Sequence, residues 1–293
     1  MKLPMINLAY FLLLLTVFSA VANPKKWLTI SLIIFAVAWG LLQQVINFYG
    51  LASILVFYGL TYGYFNGKFK KPINYLFLAL ILLLTVGFSL HIVPGFNNAQ
   101  PIIKTAVSPS SVPFSMYLNF DKVMAAIILL VNGNFYHAPL KIDLKSLKVS
   151  GLILLLMAGF FITLGELSGY IKFDFKVPSI LGIWLINNLC FVSFSQEVIF
   201  RGFLQQQLRS GLSDTNFWYL AVIMASIAFG LDHSSGGAVY VLFATVAGLF
   251  YGVCFEKTGN IIYAIMVHFG FNLIHLIFFA YPAARDLALI WRT

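Results

Sequence analysis

Polar side chains within three apolar segments of the C-terminal half are the residues of this chain best suited to chemistry. Helical side chains four residues apart share a face, and glutamate and histidine are common acid–base catalysts. Ionisable groups inside a bilayer are costly unless they are paired or face a water-filled cavity. We therefore expect each group to point inward to one catalytic site. The groups are Gln196-Glu197 with Arg201, Phe229 with His233, and His268 with Asn272.

The rise of an α-helix allows the depths of these groups to be compared. At about 1.5 Å per residue, Glu197 lies roughly 20 Å from the turn that ends its helix, and His233 lies roughly 28 Å along the returning helix. His268 and Asn272 lie roughly 12–18 Å above the start of the last apolar segment. These depths overlap to within a couple of helical turns, so one intramembrane cavity could hold all the groups.

The elements that must position these groups are membrane helices. Of the 293 residues, 61% are hydrophobic and 9% charged, whereas soluble domains have roughly 45–50% apolar and about 25% charged residues. A span needs about 17–25 apolar residues, and the run at 51–65 is short. We predict an all-α, polytopic membrane protein with about eight or nine transmembrane helices and a catalytic cavity formed by the C-terminal helices. The apolar runs lie at 5–22, 27–46, 51–65, 74–94, 151–169, 178–200, 216–232, 238–255 and 261–280.

The net charge of +9 does not indicate a nucleic-acid partner, because the Lys and Arg residues are scattered among short loops. Basic loops beside membrane helices are the signal that keeps them cytoplasmic, which places the loops at Lys25-Lys26 and at 68–71 inside. Membrane lipids are therefore the expected surroundings. The first apolar run is long for a cleaved signal peptide and follows a single Lys, so we predict that it is retained. Cys190 and Cys254 give no sign of a disulfide framework.

A long loop at 95–150 separates two sets of predicted helices. Four prolines and the polar run at 108–111 mark it. Within it, the stretch 121–131 is apolar but too short to span comfortably, and we expect it to lie at the interface or to re-enter the membrane. The predicted parts are N-terminal membrane helices at 1–94, this loop at 95–150, a catalytic membrane core at 151–280 and a C-terminal tail at 281–293.

The three spacings resemble the motifs of the CPBP family, the CAAX-protease and bacteriocin-processing intramembrane proteases, also called the Abi family. Those motifs are Glu-Glu-x-x-x-Arg, Phe-x-x-x-His and His-x-x-x-Asn. The resemblance covers about residues 150–280, and three ordered motifs on three membrane helices are specific where one alone would be weak. The matching segments are Gln196-Glu197-Val198-Ile199-Phe200-Arg201, Phe229-Gly230-Leu231-Asp232-His233 and His268-Phe269-Gly270-Phe271-Asn272.

This resemblance implies a membrane protease related to the type II CAAX prenyl endopeptidases, which cuts peptide bonds with water activated by a glutamate and a histidine. His233 would then hold the water and help to deprotonate it, and His268 and Asn272 would stabilise the oxyanion. Phe229 would shape the cavity wall, and Arg201 would orient the carboxylates or receive a substrate carboxyl group. The implied substrate is a peptide or protein, with or without a lipid modification, cut near the cytoplasmic face.

Gln196 departs from this family pattern, because it stands where the family has its first glutamate, the implied general base. A carboxamide cannot take a proton from water. Glu197 is about 100° further round the helix, and its four-residue spacing to Arg201 favours an ion pair. Three interpretations stay open. Glu197 serves as the base in a natural variant, the chain is an inactivated form of an active protease, or it is a pseudoprotease that binds without cutting.

Other classes of site fit the sequence less well. A carboxylate with His233 and His268 could bind Zn²⁺, but no His-Glu-x-x-His sequence is present, and we predict neither a metal nor another cofactor. No Gly-x-Ser-x-Gly elbow occurs, and no inverted repeat of a transporter stands out. The main alternative is a non-catalytic binder of peptide or lipopeptide, with an immunity or scaffold role. The frequent Lys, Asn, Ile and Phe residues suggest a bacterial inner membrane, and the oligomeric state is left open.

Overall fold

Helices form most of the chain that the computed structural model describes, namely residues 7–22, 26–133, 142–169, 172–213 and 217–285. Two strands, β1 (Ala99–Thr105) and β2 (Phe114–Leu118), pair in a two-stranded sheet. The helices are α1 (Leu8–Ala22), α2 (Lys26–Leu42), α3 (Phe48–Asn66), α4 (Lys71–Ser89), α5 (Phe120–Gly133), α6 (Leu144–Leu167), α7 (Leu181–Gly211), α8 (Trp218–Leu231), α9 (Ala238–Thr258) and α10 (Ile261–Phe278).

Six of the described helices are long and apolar enough to cross a membrane, namely α3, α4, α6, α7, α9 and α10. Three shorter apolar helices, α1, α2 and α8, coincide with the other predicted runs. The structure thus confirms the predicted all-α polytopic membrane fold, while the number of spans stays a prediction. The short run at 51–65 belongs to the 19-residue helix α3, which begins earlier because Asn47 Oδ1 accepts the N–H of Tyr49.

The segment 95–150 contains elements that its Pro-rich sequence does not predict. Strands β1 and β2 lie in it and are followed by α5. With 14 residues, α5 is too short to cross a hydrocarbon core of about 30 Å at about 1.5 Å per residue. It is buried on nearly every side, whereas a helix at the membrane interface would bury one side only. Its apolar sequence therefore packs as an interior helix.

A polar network fixes the N-terminal end of α5. Asp121, only 1% exposed, accepts hydrogen bonds from His91 Nδ1 at 2.8 Å and from Asn98 Nδ2 at 2.9 Å. Asn98 Oδ1 in turn accepts the backbone N–H of Phe120 at 2.8 Å. A buried carboxylate is costly unless hydrogen bonds replace its hydration. The network therefore allows Asp121 to enter the interior with the apolar residues that follow it.

The described residues divide into two compact units. In unit 1, helices α1, α3 and α4 pack on α5. In unit 2, α6, α9 and α10 pack together, α8 packs on α9, and a core forms around Trp184 and Leu276. Unit 1 comprises the described residues up to Pro101, those from Tyr117 to the end of α5, and Cys190–Phe203. Unit 2 comprises Ile102–Met116, the described residues from Ile142 to Leu189, and those from Leu204 onward.

Helix α7 carries the first motif and winds irregularly around it. It contains two π-helical segments, at Asn188–Ser193 and Val198–Gln205. Gln196 and Glu197 lie in the short α-helical stretch between them. Because a π-turn holds more residues than an α-turn, each such segment rotates the side chains that follow it. π-Helical segments are rare in proteins, and those that do occur frequently lie at functional sites.

The turn between α9 and α10 determines where the third motif begins. Gly259 ends α9 with φ +64°, a left-handed conformation that glycine adopts without the strain of a Cβ atom. Asn260 Oδ1 then accepts the N–H of Ile262 at 3.0 Å and caps α10. This turn sets the register of α10 and hence the positions of His268 and Asn272.

Candidate active site

The first motif places a buried ion pair in unit 1. Arg201 Nη1 lies 3.2 Å from Glu197 Oε1, and both side chains are 0% exposed. The structure therefore forms the pair that the four-residue spacing favours. Taking two charges out of water is costly, and the pair is tolerated because each charge offsets the other.

Gln196 is buried beside this pair in the same short helical stretch. Its side chain offers a carbonyl oxygen and an amide group, neither of which can take a proton from water. The carboxylate that the first motif of this chain provides is therefore that of Glu197.

The second and third motifs meet in unit 2 through their rings. Phe229, on α8, is 2% exposed, and its ring centroid lies 4.7 Å from that of His233 and 5.8 Å from that of His268. Tyr251, on α9, contacts the same group, with its ring 5.9 Å from Phe229 and 4.5 Å from His268. The two histidines of the predicted site thus share one aromatic neighbour.

The hydrogen bond of His233 fixes the state of its ring. His233 follows the C-terminal end of α8, and its Nδ1 lies 2.8 Å from the carbonyl oxygen of Phe229. A carbonyl oxygen only accepts, so Nδ1 carries the proton and donates it. In the neutral ring Nε2 is then the acceptor nitrogen. A histidine that holds and deprotonates a water needs this tautomer.

The third motif places His268 and Asn272 one turn apart on α10. His268 is 3% exposed and stacks on Tyr251 at an interplanar angle of 10°. One turn further, Asn272 Nδ2 donates to Asn188 Oδ1 at 3.3 Å. An amide nitrogen has two hydrogens, so this bond orients the carboxamide of Asn272 and engages one of them.

The predicted site residues therefore fall into two sets. Gln196, Glu197 and Arg201 lie in unit 1, and the structure brings Phe229, His233 and His268 together in unit 2, with Asn272 one turn from His268. The single cavity expected for all of them stays a prediction.

Sequence reasoning missed two residues of unit 2 that contact the predicted site, Tyr251 and Asn188. Tyr251 lies in no motif, so its sequence context carries no signal. Asn188 follows Asn187 inside an apolar run, and the cost of burying two amides in a membrane helix was a signal for a polar site.

Glu256, near the end of α9, has two polar partners. Gln205 Nε2 donates to Glu256 Oε1 at 3.0 Å, and Arg209 Nε lies 4.0 Å from Glu256 Oε2. This agrees with the ion pairing that is usual for a carboxylate at a helix end. Among the described residues, no three or more His, Cys, Asp or Glu side chains are grouped so as to hold a metal ion.

A comparison with known proteins finds a similarity in the part of the chain that carries the motifs. Residues 178–274 match the family model described as type II CAAX prenyl endopeptidase Rce1-like, which confirms the family resemblance predicted from the motifs. The matched residues include all three motifs, and the apolar helices support an integral membrane protein. No solved structure matches the chain.

A curated relative extends the comparison only slightly. A protein of Mycoplasma capricolum subsp. capricolum, which bears the name "uncharacterized protein", is 30% identical over 114 residues. That alignment covers 38% of this chain and 30% of the relative, so the chain spans less than a third of the relative's length.

Proposed function

We propose, from the match of residues 178–274 to type II CAAX endopeptidases, that this chain is an intramembrane endopeptidase of the glutamate type. The observation that supports this most directly is the His233 ring, whose Nδ1–H donates to a backbone carbonyl, so that Nε2 is the acceptor nitrogen of the neutral ring. The substrate is a peptide or protein segment at the membrane, with or without a lipid modification. We place the protein in a bacterial cell membrane, in line with its bacterial relative.

The proposed base is Glu197. Its carboxylate takes one proton from a water molecule, and the oxygen of that water attacks the carbonyl carbon of the peptide bond. The C–N bond then breaks, and the same proton passes to the leaving amine. Arg201, 3.2 Å from Glu197, holds the carboxylate in place during both transfers. His233 orients the water through Nε2.

The proposed oxyanion donors are His268 and Asn272. The carbonyl oxygen of the peptide gains negative charge during attack, and donors already fixed in place stabilise that charge without reorganising. Removing one such donor commonly lowers kcat by about 10²–10³. The stacking of His268 and the hydrogen bond of Asn272 supply this preorganisation.

The test compares the purified protein with Gln196→Glu and Glu197→Gln for cleavage of a quenched-fluorescent peptide library in liposomes, with products identified by mass spectrometry. Cleavage by the unmodified chain that is lost in Glu197→Gln supports Glu197 as base. Cleavage by Gln196→Glu alone means that the chain is an inactive form of a glutamate protease. Gln206→Glu, which adds the same charge elsewhere on α7, is the matched control and should gain nothing.

The carboxamide of Gln196 favours a second candidate function, a membrane protein that binds a peptide or lipopeptide without cutting it. Such a protein keeps the aromatic and imidazole groups of unit 2 but lacks the first glutamate of the family motif. The protease proposal is overturned if no peptide is cleaved by the unmodified chain, by Gln196→Glu or by Glu197→Gln. Retention of library peptides by the same liposomes, measured by mass spectrometry, then supports the binding protein.

A further inference from the structure

A residue outside the three motifs lies directly against His268. Tyr251 is 1% exposed, and its ring is nearly parallel to the imidazole of His268, with the centroids 4.5 Å apart and an interplanar angle of 10°. We propose that Tyr251 is a positioning residue, which fixes the plane of the His268 ring for donation to the oxyanion. This inference rests on the proposed protease function and assigns a further part of the same site.

The ring contacts limit the rotation of His268. Tyr251 covers one face of the imidazole, and the ring of Phe229 lies nearly perpendicular to both rings, at 84° to His268 and 89° to Tyr251. Edge-to-face and offset stacked arrangements are the favoured ones for aromatic pairs. Rotation of the imidazole about its Cβ–Cγ bond would break both contacts at once, so the ring has one preferred plane.

The close packing of α8 on α9 explains why Tyr251 reaches this position. A Cβ atom at Gly230 would lie 1.9 Å from Thr245 Oγ1 and 2.7 Å from the carbonyl oxygen of Val241, both on α9. Only glycine therefore allows the two helices to approach so closely at this point. Gly230 directly follows Phe229 in the second motif, so the approach that it allows also sets the contact of Phe229 with Tyr251.

The plane of His268 matters because the ring N–H bonds lie in it. A donor stabilises the transition state only when its hydrogen points to the place where the oxyanion forms, and small misplacement of a reacting group can lower the rate by about 10². The stack leaves the edge of the imidazole to make hydrogen bonds and holds its face. The ring of Tyr251, and not its hydroxyl group, therefore carries the positioning role.

This distinction between ring and hydroxyl group gives a matched pair of variants. Tyr251→Phe keeps the stacked ring, and Tyr251→Leu removes it. The kcat and KM of both variants are measured in whichever parent protein cleaves peptide, the unmodified chain or Gln196→Glu. We expect Tyr251→Leu to lower kcat by about 10–100-fold with little change in KM, and Tyr251→Phe to keep most of kcat.

A second buried tyrosine provides the control for loss of packing. Tyr263, on α10, is 1% exposed and its hydroxyl group donates to the backbone oxygen of Asp143 at 3.3 Å. Tyr263→Leu removes as large a ring from unit 2 but leaves the His268 stack. It should keep kcat when activity is expressed per folded protein, with the folded fraction taken from size-exclusion chromatography.

A measurement that does not need activity completes the test. A ring stacked on an imidazole shields its carbon-bound protons, so the Hε1 signal of His268 in histidine-labelled protein should move downfield in Tyr251→Leu and stay in place in Tyr251→Phe. His268→Gln assigns the signal. An unmoved signal in Tyr251→Leu shows that the stack is absent and overturns the inference.

The two readouts together separate the inference from the proposed function. A moved signal with an unchanged kcat in Tyr251→Leu overturns the positioning role while the protease stands. A moved signal with no cleavage in either background overturns the protease, and the catalytic role of Tyr251 with it, while the stack itself stands. A moved signal with a lowered kcat in Tyr251→Leu, and retention of both in Tyr251→Phe, supports the inference.

Discussion

Glu197 and Arg201 form an ion pair at 3.2 Å in which neither side chain is exposed. Removing one partner of such a pair leaves an uncompensated buried charge. We therefore expect Arg201→Met to lower the free energy of unfolding by about 3–5 kcal/mol. The measurement is thermal or denaturant unfolding of the purified protein in detergent.

Arg209 provides the control for this prediction. It is 41% exposed and lies 4.0 Å from Glu256, so water screens the pair. Exposed pairs contribute about 0–1 kcal/mol, and Arg209→Met should change the stability by no more than that. The double variant Glu197→Leu with Arg201→Met should recover much of the loss, because it leaves no unpaired charge. Equal, small effects of Arg201→Met and Arg209→Met would contradict a buried pair.

His233 gives a prediction about turnover rather than stability. Loss of a general base or water-holding group commonly lowers the rate by about 10²–10⁴. His233→Ala should therefore abolish measurable cleavage by whichever protein is active, the unmodified chain or Gln196→Glu. The melting temperature in detergent should change little, because the ring is only half-buried. His275→Gln is the control: His275 contacts the ring of Tyr281 and has no proposed part in the reaction, so cleavage should persist. Equal loss of cleavage in His233→Ala and His275→Gln would contradict the proposed role of His233.

Metal chelation tests the proposed mechanism in another way. Water activation by Glu197 and His233 requires no metal ion, so we expect EDTA or 1,10-phenanthroline to leave cleavage unchanged. The assay uses liposomes that are permeable to the chelator, with a known zinc protease as positive control. Inactivation that added Zn²⁺ reverses would contradict the glutamate mechanism.

The sequence predicts the local features of this molecule and not the distant contacts. Apolar runs predict the helices because burial in a membrane depends on composition, and four-residue spacing predicts the Glu197–Arg201 pair because one helix determines it. The stack of Tyr251 on His268 depends instead on how two helices cross, which the sequence does not encode at either residue alone. The strands β1 and β2 were missed for a similar reason, since Pro-rich composition hides their pairing.

A carboxyl group outside the membrane-spanning helices gives a pH prediction. Burial raises the pKa of Asp174, but hydrogen bonds from Ser108 and Ser110 and the charge of Lys176 outweigh it, and the pKa of Asp174 lies below its ordinary value. A lowered folded-state pKa contributes stability that is fully present above the unfolded value of about 3.9 and is lost as the pH falls through the folded value.

We therefore expect the melting temperature to fall as the pH drops below about 4, and Asp174→Asn to weaken this dependence. Unfolding followed between pH 6 and pH 3 provides the measurement. At neutral pH the same variant should be less stable than the unmodified chain, since the ion pair with Lys176, at 3.6 Å, is lost. An unchanged acid dependence in Asp174→Asn would show that other carboxyl groups determine it.

The hydrogen bond between Asn272 and Asn188 predicts an energetic coupling that the neighbouring Asn187 should lack. Asn272 Nδ2 donates to Asn188 Oδ1 at 3.3 Å, whereas within the described residues Asn187 Oδ1 has no hydrogen-bond partner although its side chain is 4% exposed. A net hydrogen bond contributes about 0.5–1.5 kcal/mol, so a double-mutant cycle of Asn188→Leu and Asn272→Leu should show a coupling of that size. The cycle of Asn187→Leu and Asn272→Leu should show little.

Asn187→Leu alone should be neutral or stabilising, because it replaces a buried oxygen that lacks a partner with an apolar group. Asn188→Leu should destabilise the protein, because it leaves the amide of Asn272 without its acceptor. Unfolding in detergent measures both effects, and cleavage by the same variants tests the consequence for the reaction. If the bond preorganises Asn272, Asn188→Leu lowers kcat more than it raises KM, whereas Asn187→Leu changes neither. Equal coupling of Asn272 to both neighbours would mean that general packing in this turn of α7, and not one hydrogen bond, holds the carboxamide.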